Sequence, residues 1–269
     1  MRTRAALVGV VAIWLVAGFC FAHDAQKEEM YRPAQLLTNL RSHDPPTRAG
    51  AFEEIRSHQG MLRKPDVQLA LLDLLDLETR EGNERVREGE RRRTEHEEGN
   101  PESSDDNAMY MDDLLGAIES FVNWHDPRQI CILAKEGAVL DSTDPRESAV
   151  RAQVAMPCLQ ELSKSDLFMD RLNAVKIFVN LLSSGGASLD SETAGAMRKA
   201  VVVALHDKHV EVQWEAVDWL ERLGTSDMVP ALTELAQSVP SQGATKGDVA
   251  VRKNAAKAIV AIQRRASEQ

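Results

Sequence analysis

The chain has 269 residues, is 43% hydrophobic and 28% charged, and carries a net charge of −10. That suits a globular protein with ample core. The acidic balance excludes general binding to a nucleic-acid backbone or to an anionic membrane surface, both of which need clustered Lys and Arg. Aromatics are only 4%, and a core of Ala, Val and Leu suits close-packed helices better than a β-sandwich.

The first stretch, "MRTRAALVGVVAIWLVAGFCFA", places Arg2 and Arg4 before an apolar run and ends with Cys20 and Ala22 at small-residue positions. It predicts a secretory signal peptide over 1–22, cut after Ala22. The alternative is an uncleaved anchor. A lipid-modified Cys20 would need a small residue before it, and Phe19 stands there. Cleavage removes two arginines and no acid, which moves the net charge to −12. The rest of the chain has no apolar run long enough to span a bilayer, so the mature chain is expected to be periplasmic or secreted, without stable membrane insertion.

From there the apolar spacing is helical throughout. "RPAQLLTNLRSH" predicts a short first helix. In "DPPTRAGAFEEIRSHQG", Asp44 and two prolines mark the helix start, Ala51, Phe52 and Ile55 lie inward, and Gly60 closes it. "KPDVQLALLDLLDLETR" gives a third helix with a wide apolar stripe. The mixed-charge stretch 79–107 then interrupts the pattern; it buries too little to repay ordering. Its first part can extend the third helix, and Gly99–Asn107 is expected to be a disordered loop. Helices resume at "MYMDDLLGAIESFVNW" and continue through "HDPRQICILAKEGA", "DPRESAVRAQVAMPCLQELSKSD", "LFMDRLNAVKIFVNLLSSGG" and "SETAGAMRKAVVVALHD". Pro157 should bend its helix. "DKHVEVQWEAVDWLERLG" reads as an amphipathic helix with Asp207 as N-cap and Gly224 behind. Asp227 caps the next, with Pro230 in its first turn, and "GDVAVRKNAAKAIVAIQRR" ends the series. Residues 23–269 thus read as one all-α domain.

Two cysteines follow the leader, Cys131 and Cys158, both in apolar helical contexts. An exported protein can join them as a disulfide; two buried thiols are the alternative. Neither has companions at metal-ligand spacing.

The last elements repeat. Asp207, Val212, Ala216, Leu220 and Leu223 run in the same order as Asp248, Val251, Ala255, Ile259 and Ile262, about forty residues apart. The small Ala lets a neighbouring helix approach closely. "DKHVEVQWEAVDWLERLGTSDMVPALTELA" and "DVAVRKNAAKAIVAI" resemble HEAT repeats, including the short bacterial type, and "DPPTRAGAFEEI" and "DPRESAVRAQ" echo them. The basic residue usual after Val is kept as Arg252 in the second stretch but is Gln213 in the first. The resemblance is clearest over 144–269 and extends to 33–137. It implies an all-α, right-handed α-solenoid of stacked antiparallel helix pairs, HEAT/ARM-like, used as a protein-binding scaffold rather than an enzyme.

No catalytic motif stands out. The chain lacks a G-x-S-x-G elbow, a phosphate loop and a dinucleotide fingerprint. Carboxylate pairs such as Glu53–Glu54 and Asp112–Asp113 read as solvated helix faces, with no sign of the burial that shifts a catalytic pKa. No catalytic, cofactor or metal residue is therefore assigned. The competing reading is an enzyme or cofactor-handling protein whose site is assembled from scattered acids and from His125, His206 and His209; His23, at the mature N-terminus, is a further copper-chelating candidate. Two tryptophans invite a binding role. Trp219 falls near Ala216, Leu220 and Leu223, the inward face. Trp214 is either core or an exposed anchor for a protein partner, since Trp is enriched at binding hot spots; Trp124 raises the same question.

Overall fold

The computed structural model describes residues 33–58, 60–95, 105–238 and 245–268. The leader 1–22, His23, and residues 96–104 of the charged stretch lie outside the described residues. Eleven α-helices and no strand occur among the described residues. Backbone contacts divide the chain into two units, Met1–Leu71 and Leu72–Gln269.

The first unit holds α1 (Pro33–Leu40), α2 (Pro45–Arg56), a 3₁₀ turn (Met61–Arg63) and the start of α3 (Pro65–Glu95). Leu36, Leu40, Phe52, Ile55, Met61 and Val67 form its core. Asp44 caps α2 as expected. Its carboxylate accepts from the Thr47 N–H at 3.2 Å, and Pro45 and Pro46 occupy first-turn positions that need no N–H donor. Gly60 does not close α2. The helix stops at Arg56 with Ser57 as C-cap, and Gly60 leads into the 3₁₀ turn in a right-handed conformation open to any residue.

The second unit takes the rest of α3, then α4 (Asp105–Glu119), α5 (Pro127–Lys135), α6 (Pro145–Leu162), α7 (Phe168–Gly185), α8 (Ser191–Ala204), α9 (Val210–Leu223), α10 (Val229–Gln237) and α11 (Lys246–Glu268). The charged stretch departs from expectation: 79–95 is helical as part of α3, and 105–107 begins α4. Strong helix formers and Glu-first pairs four apart, such as Glu81 with Arg85, favour the helix once α3 is nucleated. Thr79 is already buried and donates to the Leu75 carbonyl.

Helix α7 is buried over most of its surface, through Leu172, Ala174, Val175, Ile177, Phe178 and Leu181, and leaves a narrow row of Lys176, Asn180 and Ser183 exposed. A helix of that kind must be surrounded, and α7 contacts α5, α6, α8 and α9. Each of these side chains larger than alanine contributes about 1.5–3 kcal/mol on burial. Beyond it, α9 packs on α11, and α10 on α11. Partners in these contacts are near neighbours along the chain. Cys131 on α5 and Cys158 on α6 form a disulfide, with Cα atoms 5.6 Å apart. Helix α6 continues through Pro157 to Leu162, although Pro157 leaves the Gln153 carbonyl without its helical donor.

Two N-cap expectations also fail. Helix α9 begins at Val210 with His209 as N-cap, not at Asp207. Met228, not Asp227, is the N-cap of α10, while Pro230 does fall in its first turn; Asp227 instead accepts from the Thr225 hydroxyl. Helix α11 carries a capping box that the spacing argument overlooked. Asp248 accepts from the Thr245 N–H at 2.7 Å, and Thr245 Oγ1 accepts from the Asp248 N–H at 3.2 Å.

Candidate functional site

Four helix starts share one local construction. Before α2, Ser42 Oγ accepts the Asp44 N–H at 3.1 Å, and Arg48 donates back to the Ser42 carbonyl at 2.9 Å. Before α6, Ser142 Oγ accepts the Asp144 N–H, and Ser148 Oγ donates to the Ser142 carbonyl at 3.1 Å. Before α7, Ser165 Oγ accepts the Leu167 N–H, and Arg171 Nη1 donates to the Ser165 carbonyl at 2.7 Å. Before α9, Asp207 Oδ1 accepts the His209 N–H at 2.9 Å, and Gln213 Nε2 donates to the Asp207 carbonyl at 2.6 Å. In each case the side chain of residue i holds the N-cap N–H at i+2, and the side chain at i+6 holds the carbonyl of i. These groups lie outside the helical ladder and need other partners; the carbonyl bonds are part-buried at all four starts, and the N-cap N–H bonds only at α7 and α9. Asp207 therefore corresponds to Ser42, Ser142 and Ser165, not to the capping residues Asp44 and Asp144. Gln213 occupies the post held elsewhere by Arg48 and Arg171, so its lack of charge leaves the hydrogen bond intact.

The α7 and α9 starts are joined. Arg171 Nε and Nη2 donate to the two Asp207 carboxylate oxygens at 2.6 and 3.0 Å, and both side chains are only 10% exposed. Fork-to-fork pairing of this kind is the strong form of a charge-assisted bond. Burial pushes the Asp207 carboxyl up, but the Arg171 hydrogen bonds, the His209 N–H and the Arg171 charge together hold it below its ordinary value.

Beside this pair lies an open groove of about 610 Å³. The end of α6, one side of α7, the length of α8 and the start of α9 line it. Val175 and Val212 form its buried floor. Lys164, Lys199 and His206 stand exposed along it, and Val203 of α8 is 61% exposed within it. A smaller cavity of about 230 Å³ is lined by Glu78, Thr79, Lys135, Glu136 and Asn173. Burial raises the Glu136 carboxyl, opposed by the Thr79 hydrogen bond and reinforced by Asp170 and Glu78. Nothing in the sequence marks a half-buried carboxylate here, because Glu136 directly follows the last residue of α5 and reads as solvated.

The histidines do not converge. His206 is exposed in the groove. The His209 ring stacks on Phe168, with centroids 4.9 Å apart and planes 16° apart. His125 is exposed, its N–H held by Asn123. The Asp207 carboxylate between His206 and His209 is engaged by Arg171. Among the described residues no three His, Cys, Asp or Glu side chains gather as a metal site, and no helix is long and apolar enough to cross a membrane.

The tryptophans separate. Trp219 is 2% exposed and belongs to the core, while Trp214 is 43% exposed on the outer side of α9. Leu223, expected inward, is 49% exposed. On α9 the neighbours of Trp214 at −3, +1 and +4 are Glu211, Glu215 and Asp218. Trp124 is half-buried beneath the Arg151 guanidinium, 3.8 Å from the ring centroid, a cation–π contact that occupies one face.

No protein-family model matches the chain, and no curated protein matches it.

Proposed function

We propose that this chain is a non-enzymatic scaffold of HEAT-repeat type, an armadillo-like α-solenoid that binds a protein partner after export. The exposed Trp214 carries the reading. A large ring on an ordered helix, with the carboxylates of Glu211 and Asp218 one turn to either side, suits an apolar or cationic side chain of a basic partner segment through burial and cation–π attraction. The recurrent helix-start construction and the chain-local packing of α5 to α11 support a repeat architecture, in which each unit packs on its neighbours. The Cys131–Cys158 disulfide supports an oxidising compartment and so the cleaved leader.

The test places a photo-crosslinking residue at position 214 of the full chain in its native host. The expected result is a discrete adduct whose crosslinked peptide is rich in Lys or Arg, lost when Glu211 and Glu215 become Lys. An absent adduct, or one indifferent to those reversals, refutes the reading. The competing metal-enzyme reading is favoured only if the purified chain holds stoichiometric metal that is lost with His206→Ala and His209→Ala.

A further inference from the structure

We infer that the groove beside the Arg171–Asp207 pair is a second docking site, for an acidic segment of a partner protein that presents an aliphatic side chain between carboxylates. It goes beyond the Trp214 reading because it uses the other side of α9. Val212 lines the groove, and Trp214, two residues on, points about 200° away around the helix.

Charge complementarity selects the occupant. The chain as a whole is strongly acidic, but the groove is not. Its single carboxylate, Asp207, is neutralised by Arg171, which also lines it. Lys164 and Lys199 remain, both exposed and in no ion pair among the described residues. The lining therefore carries a formal charge of +2 with His206 neutral. Its floor is aliphatic, which serves no purpose for a phosphate backbone. Lys199, Val203 and His206 follow at steps of four and three residues, so they stand in one row down α8 and just past its end. Ala196 and Ala200, one turn apart on the groove side, let a docked backbone come close. The row matches a segment with a carboxylate, then an aliphatic residue, then a second polar group at helical spacing, the groove-binding mode of amphipathic helices. At about 610 Å³ the groove holds one or two aliphatic side chains with their backbone.

The test pans a display library of helical peptides against the full chain and measures the recovered peptides by fluorescence anisotropy. The expected peptides carry Asp or Glu flanking Leu, Ile or Val, and lose affinity about tenfold or more for the Lys164→Glu/Lys199→Glu variant. They lose affinity also for Lys164→Gln/Lys199→Gln, bind more weakly as salt rises, and keep full affinity for Trp214→Ala. Both lysines are exposed, so circular dichroism should show these variants folded. Recovery of cationic or uncharged peptides, or of acidic peptides indifferent to the lysine changes, overturns the assignment. Saturable binding of sodium laurate that depends on Lys164 and Lys199, with no acidic peptide recovered, overturns it in favour of an anionic lipid. Failure here leaves the Trp214 crosslink untouched, and the reverse also holds.

Discussion

Replacing Arg171 by Met tests whether the buried pair between the α7 and α9 starts holds the second unit together. The contacts of the guanidinium include two to the Asp207 carboxylate and two, at 2.7 and 3.0 Å, to the Ser165 and Asp166 carbonyls. Methionine keeps the apolar stem and removes all four. An exposed pair lost this way costs about 1 kcal/mol at most. Here both side chains are 10% exposed, and breaking a buried pair costs about 3–5 kcal/mol. Asp207 keeps the His209 N–H, which places the expected loss at the lower end, about 3 kcal/mol. Urea unfolding followed by circular dichroism reads it. Combined with Asp207→Asn and the double variant, the cycle should show a coupling of about 2 kcal/mol. The pH dependence gives an independent check. The folded Asp207 carboxyl lies below its ordinary value, so its contribution is fully present above about pH 4 and disappears as pH falls through the lower folded value. Without Arg171, only the His209 N–H and charge still oppose burial, so that carboxyl rises from its wild-type position and the gap between wild type and variant should narrow on acidification. A loss under about 1 kcal/mol, or additive single variants, refutes the reasoning.

Reducing the Cys131–Cys158 disulfide, which closes a separation of 27 residues, should cost up to about 3.5 kcal/mol; an unchanged urea midpoint with reductant contradicts this. For Glu136, whose folded carboxyl is raised, the folded state holds the proton more tightly than the unfolded one. Wild-type stability should therefore fall as pH rises from about 4.3 through the raised value, and Glu136→Gln should remove that slope in urea melts across the range. Gly137 has φ +73°, and an added Cβ would sit 2.7 Å from Asn173 Oδ1, while Asn173 is held by its bond to the Lys135 carbonyl. Gly137→Ala should therefore cost more than about 1 kcal/mol. Gly195→Ala, with open space inside α8, should stabilise by about 0.5–1 kcal/mol; equal midpoints for the two would refute the distinction.

Helices were legible because a stripe at 3.6 spacing survives any tertiary arrangement. The starts of α2, α5 and α6 were legible for a similar reason. Asp44, Asp126 and Asp144 each precede a proline, and the proline fixes where the helix begins. Asp207 has no proline behind it. Its side chain is used two residues before the N-cap, and its main partner, Arg171, lies 36 residues earlier, so from sequence alone this Asp ahead of a helix reads as its cap. Periodicity placed Trp219 correctly in the core and could not place Trp214, whose exposure depends on which side of α9 its neighbours leave uncovered. Glu136 is not legible because the groups that act on its carboxyl, the Thr79 hydroxyl on α3 and the Asp170 charge on α7, are not near it in sequence. Lys164 and Lys199 belong to different segments, and only the packing of α6, α7 and α8 brings them to one groove.

The residue at the first post of each helix start decides how far that start reaches. Serine at 42, 142 or 165 satisfies one N–H, and at 142 and 165 its hydroxyl also donates to a carboxylate of the helix that follows, Glu147 or Asp170, without reaching another helix start. Aspartate at 207 satisfies the same N–H with one oxygen and still presents a charge, and Arg171, already tied to the Ser165 carbonyl, answers it. The result is a continuous polar line from Ser165 through Arg171 and Asp207 to Gln213. A line of charge-assisted bonds with little solvent exposure fixes the register of α7 against α9 more tightly than aliphatic packing, which tolerates sliding. That register sets the groove floor, since Val175 and Val212 come from those two helices. It also removes the groove's own carboxylate from any role in binding. The two exposed lysines then determine what the groove attracts, and a floor fixed in advance lowers the ordering cost of docking.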